Sequence, residues 1–153
     1  MTVLFFTLGA DYNELIKDFY FLGQDKENKK LYEGWAKTAY IFQDIIKMEK
    51  FSAKVYGETS TVIKADKALL KKDTNDIKLQ ENVEVQSEER ILETEELDWH
   101  PKKNVAFTDK DILITQKDLS INAKGLRQEI DKKKMHLKKD INCLLYTSDA
   151  ADE

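Results

Sequence analysis

Few residues of this sequence could act as catalysts or metal ligands, and they are scattered. The chain has two histidines, His100 and His136, and neither forms a spaced motif with a cysteine. His100 precedes Pro101 in a predicted turn, and alternation points His136, between Met135 and Leu137, toward solvent. Two isolated histidines without a cysteine partner make neither a metal site nor a nucleophile relay. We therefore expect both to be solvated surface residues.

The charged clusters are the other candidates for chemistry. Carboxylates are dense over 88–96, and this pattern is more typical of an outer face and a loop than of a catalytic pair. The run Lys132-Lys133-Lys134 could contact phosphates, but lysines at a turn usually form a solvated edge that resists aggregation. The chain also lacks a Gly-x-x-x-x-Gly-Lys-Ser/Thr phosphate loop. We predict that the protein is not an enzyme and that it uses no cofactor or metal.

Composition limits the class of protein. At 153 residues the chain is the size of one domain and is long enough to form a core. Hydrophobic residues make up 41% and charged residues 35%, which excludes a membrane-embedded bundle and does not suggest wholesale disorder. The many Lys and Glu residues and the single Pro suit helices at least as well as strands, so the periodicity of the apolar residues has to decide.

The periodicity is clearest between Val62 and Gln86. Apolar and polar residues alternate over 62–68 and again over 77–86, and residues 71–76 between them supply the polar chemistry of a turn. A period of two places alternate residues on one face, as a half-buried strand requires. This stretch is therefore predicted to be a two-stranded unit.

The two-stranded unit recurs along the chain. Equivalent positions follow one another every 29 residues at Ala36, Ala65, Thr94 and Ala123. A period of this length is typical of repeat architectures, in which no single copy can bury its own apolar face. Four copies of strand, turn and strand fill the chain, and such a sheet exposes an unpaired edge at each end.

Nine strands are predicted outside the first residues, over 16–22, 31–40, 45–56, 62–68, 77–86, 90–99, 105–115, 119–130 and 135–141. A helix over 35–50 is an alternative, because Ala, Lys and Glu are dense there. Several strands change the parity of their apolar positions, as between Thr94 and Leu97, between Phe107 and Ile112, and between Ala123 and Leu126. One extra residue makes a bulge or corner, which bends a strand from one wall of a sandwich to the next. Stacked corners would fold the sheet into a trough.

Both ends of the sequence are set apart from this repeat. Residues 1–12 are a first strand or a disordered start, or the remnant of an N-terminal anchor or signal, since Met1–Ala10 is apolar but shorter than the ~20 residues that span a bilayer. Residues 143–153 are similar over their whole length to a translated sequencing adaptor. We assign them to a non-native tail and the domain to residues 13–142. The tail carries the only cysteine, and without its three carboxylates the charge of −4 becomes about −1. The net charge therefore does not indicate a class of partner, and the cysteine content does not indicate the redox compartment.

A family resemblance rests on the central repeat. Ile63-Lys64-Ala65-Asp66-Lys67-Ala68, followed by residues 77–85 with their ending Asn82-Val83-Glu84-Val85, resembles the lipopolysaccharide export protein C family (LptC), whose sheet is shared with the OstA/LptA domain. Weaker similarity extends over Ile16–Asn142. Where the family commonly has Gly before the Val-x-Val strand, this chain has Glu81-Asn82. Because Asn tolerates a left-handed conformation, the bend is expected to survive.

The resemblance implies a fold and a function. The fold would be all-β, an open, antiparallel, two-walled β-jellyroll with a trough between its walls. The protein would be periplasmic and anchored in the inner membrane in its complete form. It would accept lipopolysaccharide from an inner-membrane ABC transporter, through an edge-to-edge β contact, and pass it to a periplasmic LptA-like bridge protein. Each CH₂ group of an acyl chain buried in the trough would stabilise binding by about 0.8 kcal/mol, so the energy for release would come from the partner.

The residues expected to face the trough and to bind lipid are those at the alternating apolar positions from 63 onward. They are Ile63, Ala65, Ile77, Leu79, Val83, Val85, Leu92, Thr94, Trp99, Val105, Phe107, Ile112, Ile114, Ile121 and Ala123. Without the resemblance, the same pattern favours a dry core. The competing hypothesis is a structural β-solenoid or sandwich that mediates protein assembly through its edge strands without binding lipid. A second alternative is the soluble bridge protein of the same family.

Overall fold

Nearly all of the chain that the structure describes is β-strand. The computed structural model describes residues 3–5, 13–130 and 135–145. The strands are β1 (Val3–Phe5), β2 (Glu14–Gln24), β3 (Lys30–Ile41), β4 (Ile45–Val55), β5 (Thr61–Lys71), β6 (Ile77–Ser87), β7 (Arg90–His100), β8 (Val105–Gln116), β9 (Leu119–Glu129) and β10 (Met135–Leu145). The all-β prediction is confirmed. The helical alternative for 35–50 is wrong, because β3 and β4 occupy that stretch as a hairpin.

The ten strands form one sheet in which spatial order follows chain order from β1 to β10. Every described pair of neighbours is antiparallel. A solenoid requires parallel neighbours, so this pairing contradicts the solenoid alternative. Since β1 and β10 lie at opposite ends of the order, the described sheet is open.

The connections are the tight polar turns that the sequence predicts. Asn28, Asn75 and Asn104 have φ values of 64°, 63° and 55°, and Asn tolerates this left-handed conformation. In the first turn the Asp25 carboxylate accepts hydrogen bonds from the backbone N–H groups of Glu27 (2.8 Å) and Lys29 (2.9 Å). The predicted turn residues therefore close the hairpins.

Each strand from β2 to β9 bends near its middle, at what we call the corner. There two or three consecutive residues interrupt the inward-facing alternation. In β7 the interruption is Glu95-Glu96, and in β9 it is Lys124 with Gly125, which has a φ of 90°. The parity changes predicted for β7 and β9 are thus confirmed as corners.

The 29-residue repeat is the spacing between corners of alternate strands. Ala36, Ala65, Thr94 and Ala123 are all buried immediately before the corners of β3, β5, β7 and β9. Their counterparts immediately after the corners, Ala39, Ala68, Leu97 and Leu126, are also buried. One repeat therefore equals two strands and two turns. The bend therefore recurs at the same position in each repeat.

The corner of β6 is where the sequence departs from the glycine of the family pattern. Glu81 and Asn82 adopt left-handed φ values of 66° and 52°. The Asn82 side-chain amide donates to the Asp66 carboxylate at 2.7 Å, and Lys67 pairs with Glu81 at 3.1 Å. The bend survives without glycine, and contacts from β5 hold it.

The corners divide the sheet into two walls. We call the first wall the half-strands on the side of the β2–β3 turn, such as 30–36 of β3, and the second wall the opposite half-strands, such as 97–100 of β7. One hydrophobic core runs between them from Ile16 in β2 to Ile130 after β9. Met135 and Leu137 of β10 pack against its far end. The fold is therefore an open, two-walled jellyroll, as predicted.

The two ends of the described chain extend the sheet. β1 pairs with Glu14–Ile16, as a first strand would, and the other residues of 1–12 lie outside the described part. β10 continues through Cys143 to Leu145, so three residues of the predicted tail are part of the sheet. The lysines at 132–134 lie outside the described residues.

Candidate functional site

The interior between the two walls is the candidate site, and it is built by alternation. Twelve of the fifteen sequence-predicted residues are buried and face this interior: Ile63, Ala65, Ile77, Leu79, Val83, Val85, Leu92, Thr94, Trp99, Ile112, Ile114 and Ala123. Ile121 is half-buried and packs against the same core. The described structure therefore brings thirteen of the fifteen residues together on one continuous surface.

Neither Val105 nor Phe107, which were predicted to face the interior, belongs to the main core cluster, although Val105 is buried. In β8 the inward positions are Ala106, which pairs with Trp99, and Thr108, which is 3% exposed. Phe107 pairs with Asp98 on the outer face, and its ring stacks on His100 at 5.1 Å between centroids. The large side chain of Trp99 fills the interior at this level, so its neighbour Ala106 is small and the bulky Phe107 faces outward.

The N-terminal half of the interior was not predicted from the sequence. Buried residues of β2 to β4 complete the core, namely Ile16, Ala36, Ala39, Ile46, Met48, Phe51, Ala53 and Val55, and the half-buried Phe19, Phe21 and Tyr32 pack against it. The signal that could have found them is the repeat itself, since Ala36 and Ala39 are in register with Ala65 and Ala68. The apolar surface thus crosses the sheet from β2 to β10.

Aromatic rings replace missing side chains near the start of the interior. The ring of Phe21 covers Gly34, and the ring of Tyr32 covers Gly23, in each case so closely that a Cβ atom on the glycine would overlap the ring. Phe21 also stacks on Phe51 at 6.1 Å between centroids. An aromatic ring over a glycine in the neighbouring strand is a recognised way of filling a sheet. These pairs keep the first strands of the trough apolar.

A few polar groups interrupt the apolar interior, and most of them are satisfied locally. The Thr94 hydroxyl donates to the Asp111 carbonyl at 2.9 Å, and the Thr108 hydroxyl accepts from the Lys110 N–H at 3.1 Å. Trp99 differs. Among the described residues, its indole nitrogen is the one buried side-chain nitrogen or oxygen without a hydrogen-bond partner. Leaving such a donor unpaired costs about 1–3 kcal/mol.

The sequence that forms this apolar, two-walled interior can be compared with known protein families. The sequence model of a family described as lipopolysaccharide-assembly, LptC-related, matches residues 21–146. This range covers most of the chain and includes β3 to β10 whole. The chain belongs to the LptC-related family. No curated protein matches the sequence.

LptC-related proteins are non-enzymatic components of lipopolysaccharide transport, face the periplasm and are anchored in the inner membrane. In the described part of this LptC-related chain, no helix has the length and apolarity needed to cross a membrane.

The outer face of the LptC-related domain carries one tightly held carboxylate. Glu33 of β3 is buried although it points outward, and it accepts hydrogen bonds from the Tyr56 hydroxyl, from the Tyr20 hydroxyl at 2.7 Å and from Lys30 at 3.3 Å. These donors lower the pKa of Glu33 to about 2. The same contacts raise the pKa of both tyrosines. The cluster ties β2, β3 and β4 together on the surface of the first wall.

The histidines do not form a reactive site. His136 is exposed, as predicted. His100 is half-buried rather than fully solvated, because its Nδ1 lies 2.7 Å from the Asp76 carboxylate across the turns that follow β5 and β7. Burial raises the pKa of Asp76, but hydrogen bonds from His100 and Thr74 outweigh it, so the net shift is downward. Within the described ranges no group of three or more potential metal ligands comes together.

Proposed function

We propose that the interior of this LptC-related domain is a lipid-accessible trough. Lipopolysaccharide would be accepted from an inner-membrane ABC transporter and passed to a periplasmic LptA-like bridge protein. The observation that carries the proposal is the continuous apolar surface between the walls, which begins at one edge of the open sheet and ends at the other. Acyl chains laid along it would replace contacts between the walls with contacts to lipid.

The two sheet edges offer separate docking sites for the two partners. β1 pairs only with Glu14–Ile16, in the second wall, so among the described residues the first-wall half of β2 pairs with β3 on one side and with no strand on the other. At the other end β10 is the last described strand, and its Ile141 and Leu144 are exposed. Unpaired strand edges template pairing with another sheet. We propose that the transporter docks at the β2 edge and the bridge protein at the β10 edge.

The domain itself supplies no energy in this proposal, and we propose that it is not an enzyme. Each buried CH₂ group stabilises a bound acyl chain by about 0.8 kcal/mol, so several full chains would dissociate slowly unaided. Forward movement then depends on work done by the transporter. The anchored rather than the soluble form is proposed from the family, whose members are held in the inner membrane.

Site-specific photo-crosslinking tests the proposal at both ends of the trough. Phe21 of β2 and Ile121 of β9 face the interior and are half-buried, so each can accept a benzoylphenylalanine. Their matched controls are the next residues, Leu22 and Asn122, which face outward and are exposed. The four variants are incubated with the transporter, lipopolysaccharide and ATP, then irradiated.

Crosslinks to lipopolysaccharide at Phe21 and Ile121, without crosslinks at Leu22 and Asn122, are the expected result. If neither inward position captures lipopolysaccharide in a domain that is folded and docked on its transporter, the trough is a dry core. The edge-strand assembly hypothesis would then replace the conveyor. Crosslinking at the outward positions alone would also exclude an interior route.

A further inference from the structure

Two contacts join strands that are four apart in the sheet and close the interior. The Tyr32 ring, near the start of β3, meets the Trp99 ring, near the end of β7, edge to face with centroids 5.5 Å apart. The Thr61 hydroxyl at the start of β5 donates to the carbonyl of Ile130, just after β9, at 3.4 Å. All four residues lie far from the corners, where the first wall meets the second. We call these two contacts the closing seam.

The closing seam holds a buried donor without an acceptor. Trp99 is 0% exposed, and its indole N–H has no partner. In the second wall, Trp99 lies beside Ala106, which in turn lies beside Gln128, another buried polar side chain. Tyr32 offers Trp99 only a ring contact. Trp99 and Gln128 therefore place polar groups in the mainly apolar trough, at the point where the walls must part before a ligand can lie between them.

We propose that the Trp99 indole N–H is the hydrogen-bond donor that positions a bound acyl chain by its carbonyl oxygen, once the walls part at the closing seam. This inference rests on the proposed function. An apolar trough binds all hydrocarbon chains with similar affinity and fixes none of them at a particular position along its length. A single donor that is unpaired in the closed state favours a chain joined through an amide or ester, because that linkage brings an acceptor. A plain alkyl chain leaves the N–H unpaired.

The two tryptophans of the chain make the proposal measurable in the unmodified protein. Trp99 is buried in the interior, whereas Trp35 is 42% exposed on the outer face of β3 and serves as the internal reference. Side-chain N–H signals are followed by NMR during titration with lipid A, whose chains carry amide and ester carbonyls. A parallel titration uses tetradecylphosphocholine, whose alkyl chain carries none. Methyl signals of Leu79 and Ile63, which face the interior from opposite walls, report whether either probe has entered it.

The expected result is a downfield shift of the Trp99 N–H with lipid A only, while the interior methyl signals respond to both probes and Trp35 stays unchanged. If lipid A shifts the methyl signals without moving the Trp99 N–H, or both probes move it equally, the donor role is overturned and the trough survives. If neither probe shifts the methyl signals, the proposed function fails, and this inference fails with it.

Substitution gives the second measurement. Trp99→Phe keeps a ring for Tyr32 to pack against and removes the N–H, and Trp35→Phe is the same change on the outer face. We expect Trp99→Phe to weaken lipid A binding about threefold to tenfold and to leave tetradecylphosphocholine binding within about twofold. Trp35→Phe is expected to change neither. Equal weakening for both probes would assign Trp99 a packing role only and overturn the proposal.

Discussion

Replacing Gly125 by alanine tests whether the corners hold the two walls at their angle. Gly125 lies at the corner of β9 with a φ of 90°, between the buried residues Ala123 and Leu126. L-residues rarely adopt this backbone conformation. An added Cβ would also lie 2.7–3.0 Å from side-chain carbons of Lys138 in β10. The substitution therefore strains the bend in two ways. Residue 125 is held in an unfavourable backbone conformation, and its new Cβ atom overlaps the side chain of Lys138 in the adjacent strand.

The expected loss of stability follows from three contributions. Holding a non-glycine residue in this region costs about 1–3 kcal/mol. Moving the exposed Lys138 aside disturbs its 2.6 Å pair with Asp109, a solvent-exposed ion pair that contributes little to stability. Alanine also restricts the unfolded chain, which offsets about 0.4–1 kcal/mol of the loss. We expect Gly125→Ala to lower the free energy of unfolding by about 1–3 kcal/mol.

Urea denaturation followed by circular dichroism measures this loss, and two further variants separate its causes. Gly57→Ala, in the exposed bend between β4 and β5 where φ is not positive, carries the same unfolded-state contribution without the native strain. Gly125→Ala combined with Lys138→Ala removes the contact and keeps the strained backbone. If Gly125→Ala and Gly57→Ala agree within about 0.3 kcal/mol, the corner does not depend on the conformation at position 125 and the reasoning is refuted.

Three further predictions concern the core, the outer carboxylate and the β6 corner. Leu97→Ala, at a residue 0% exposed, should cost about 2–5 kcal/mol in urea denaturation, whereas Leu22→Ala, at a residue 38% exposed, should cost less than about 1 kcal/mol; equal losses would contradict the assigned core. Because the pKa of Glu33 is lowered to about 2 in the folded state, its contribution to stability is present above its unfolded pKa and is lost as pH falls toward 2. Tyr56→Phe should raise the Glu33 pKa in an NMR titration, and an unchanged midpoint would show that the hydroxyl does not hold the carboxylate. Glu81→Val should destabilise by about 1–2 kcal/mol more than Glu81→Gly, since a β-branched residue resists a φ of 66°; equal midpoints in thermal denaturation would exclude strain there.

The strands and corners could be predicted because they depend on local pattern. Alternation marks the strands, Asn and Asp mark the turns, and a change of parity marks the corner, as at Thr94 and Leu97. The repeat added the register between alternate strands. None of these features requires knowledge of which residues meet across the interior.

The outward facing of Phe107 was not predicted, because bulk and burial point in opposite directions there. In β3 the large Trp35 faces outward and the small residues Gly34 and Ala36 face inward, and in β8 Phe107 and Ala106 show the same inversion. The interior volume opposite these small residues is filled from other strands, as by Phe21 over Gly34. Hydrophobicity read along one strand cannot reveal a ring supplied by its neighbour.

Contacts across the interior were outside the reach of the sequence for the same reason. Tyr32 and Trp99 belong to strands four apart, and nothing in either strand's pattern specifies the other. The unpaired indole N–H of Trp99 is visible only once every neighbour has been placed. The contacts most specific to binding therefore depend on the assembled walls, whereas the strands that form those walls can be predicted from the sequence.

The four-strand offset of the closing seam sets an order of events during synthesis. Each hairpin can form as soon as its two strands are available, because sheet order follows chain order and the pairings are local. Tyr32 of β3 and Thr61 of β5 nevertheless remain uncovered until β7 and the end of β9 have emerged. A chain crossing the membrane from its N-terminus would thus carry an open apolar groove for most of its passage. The segment from β7 to the end of β9, residues 90–130, therefore ends this exposure.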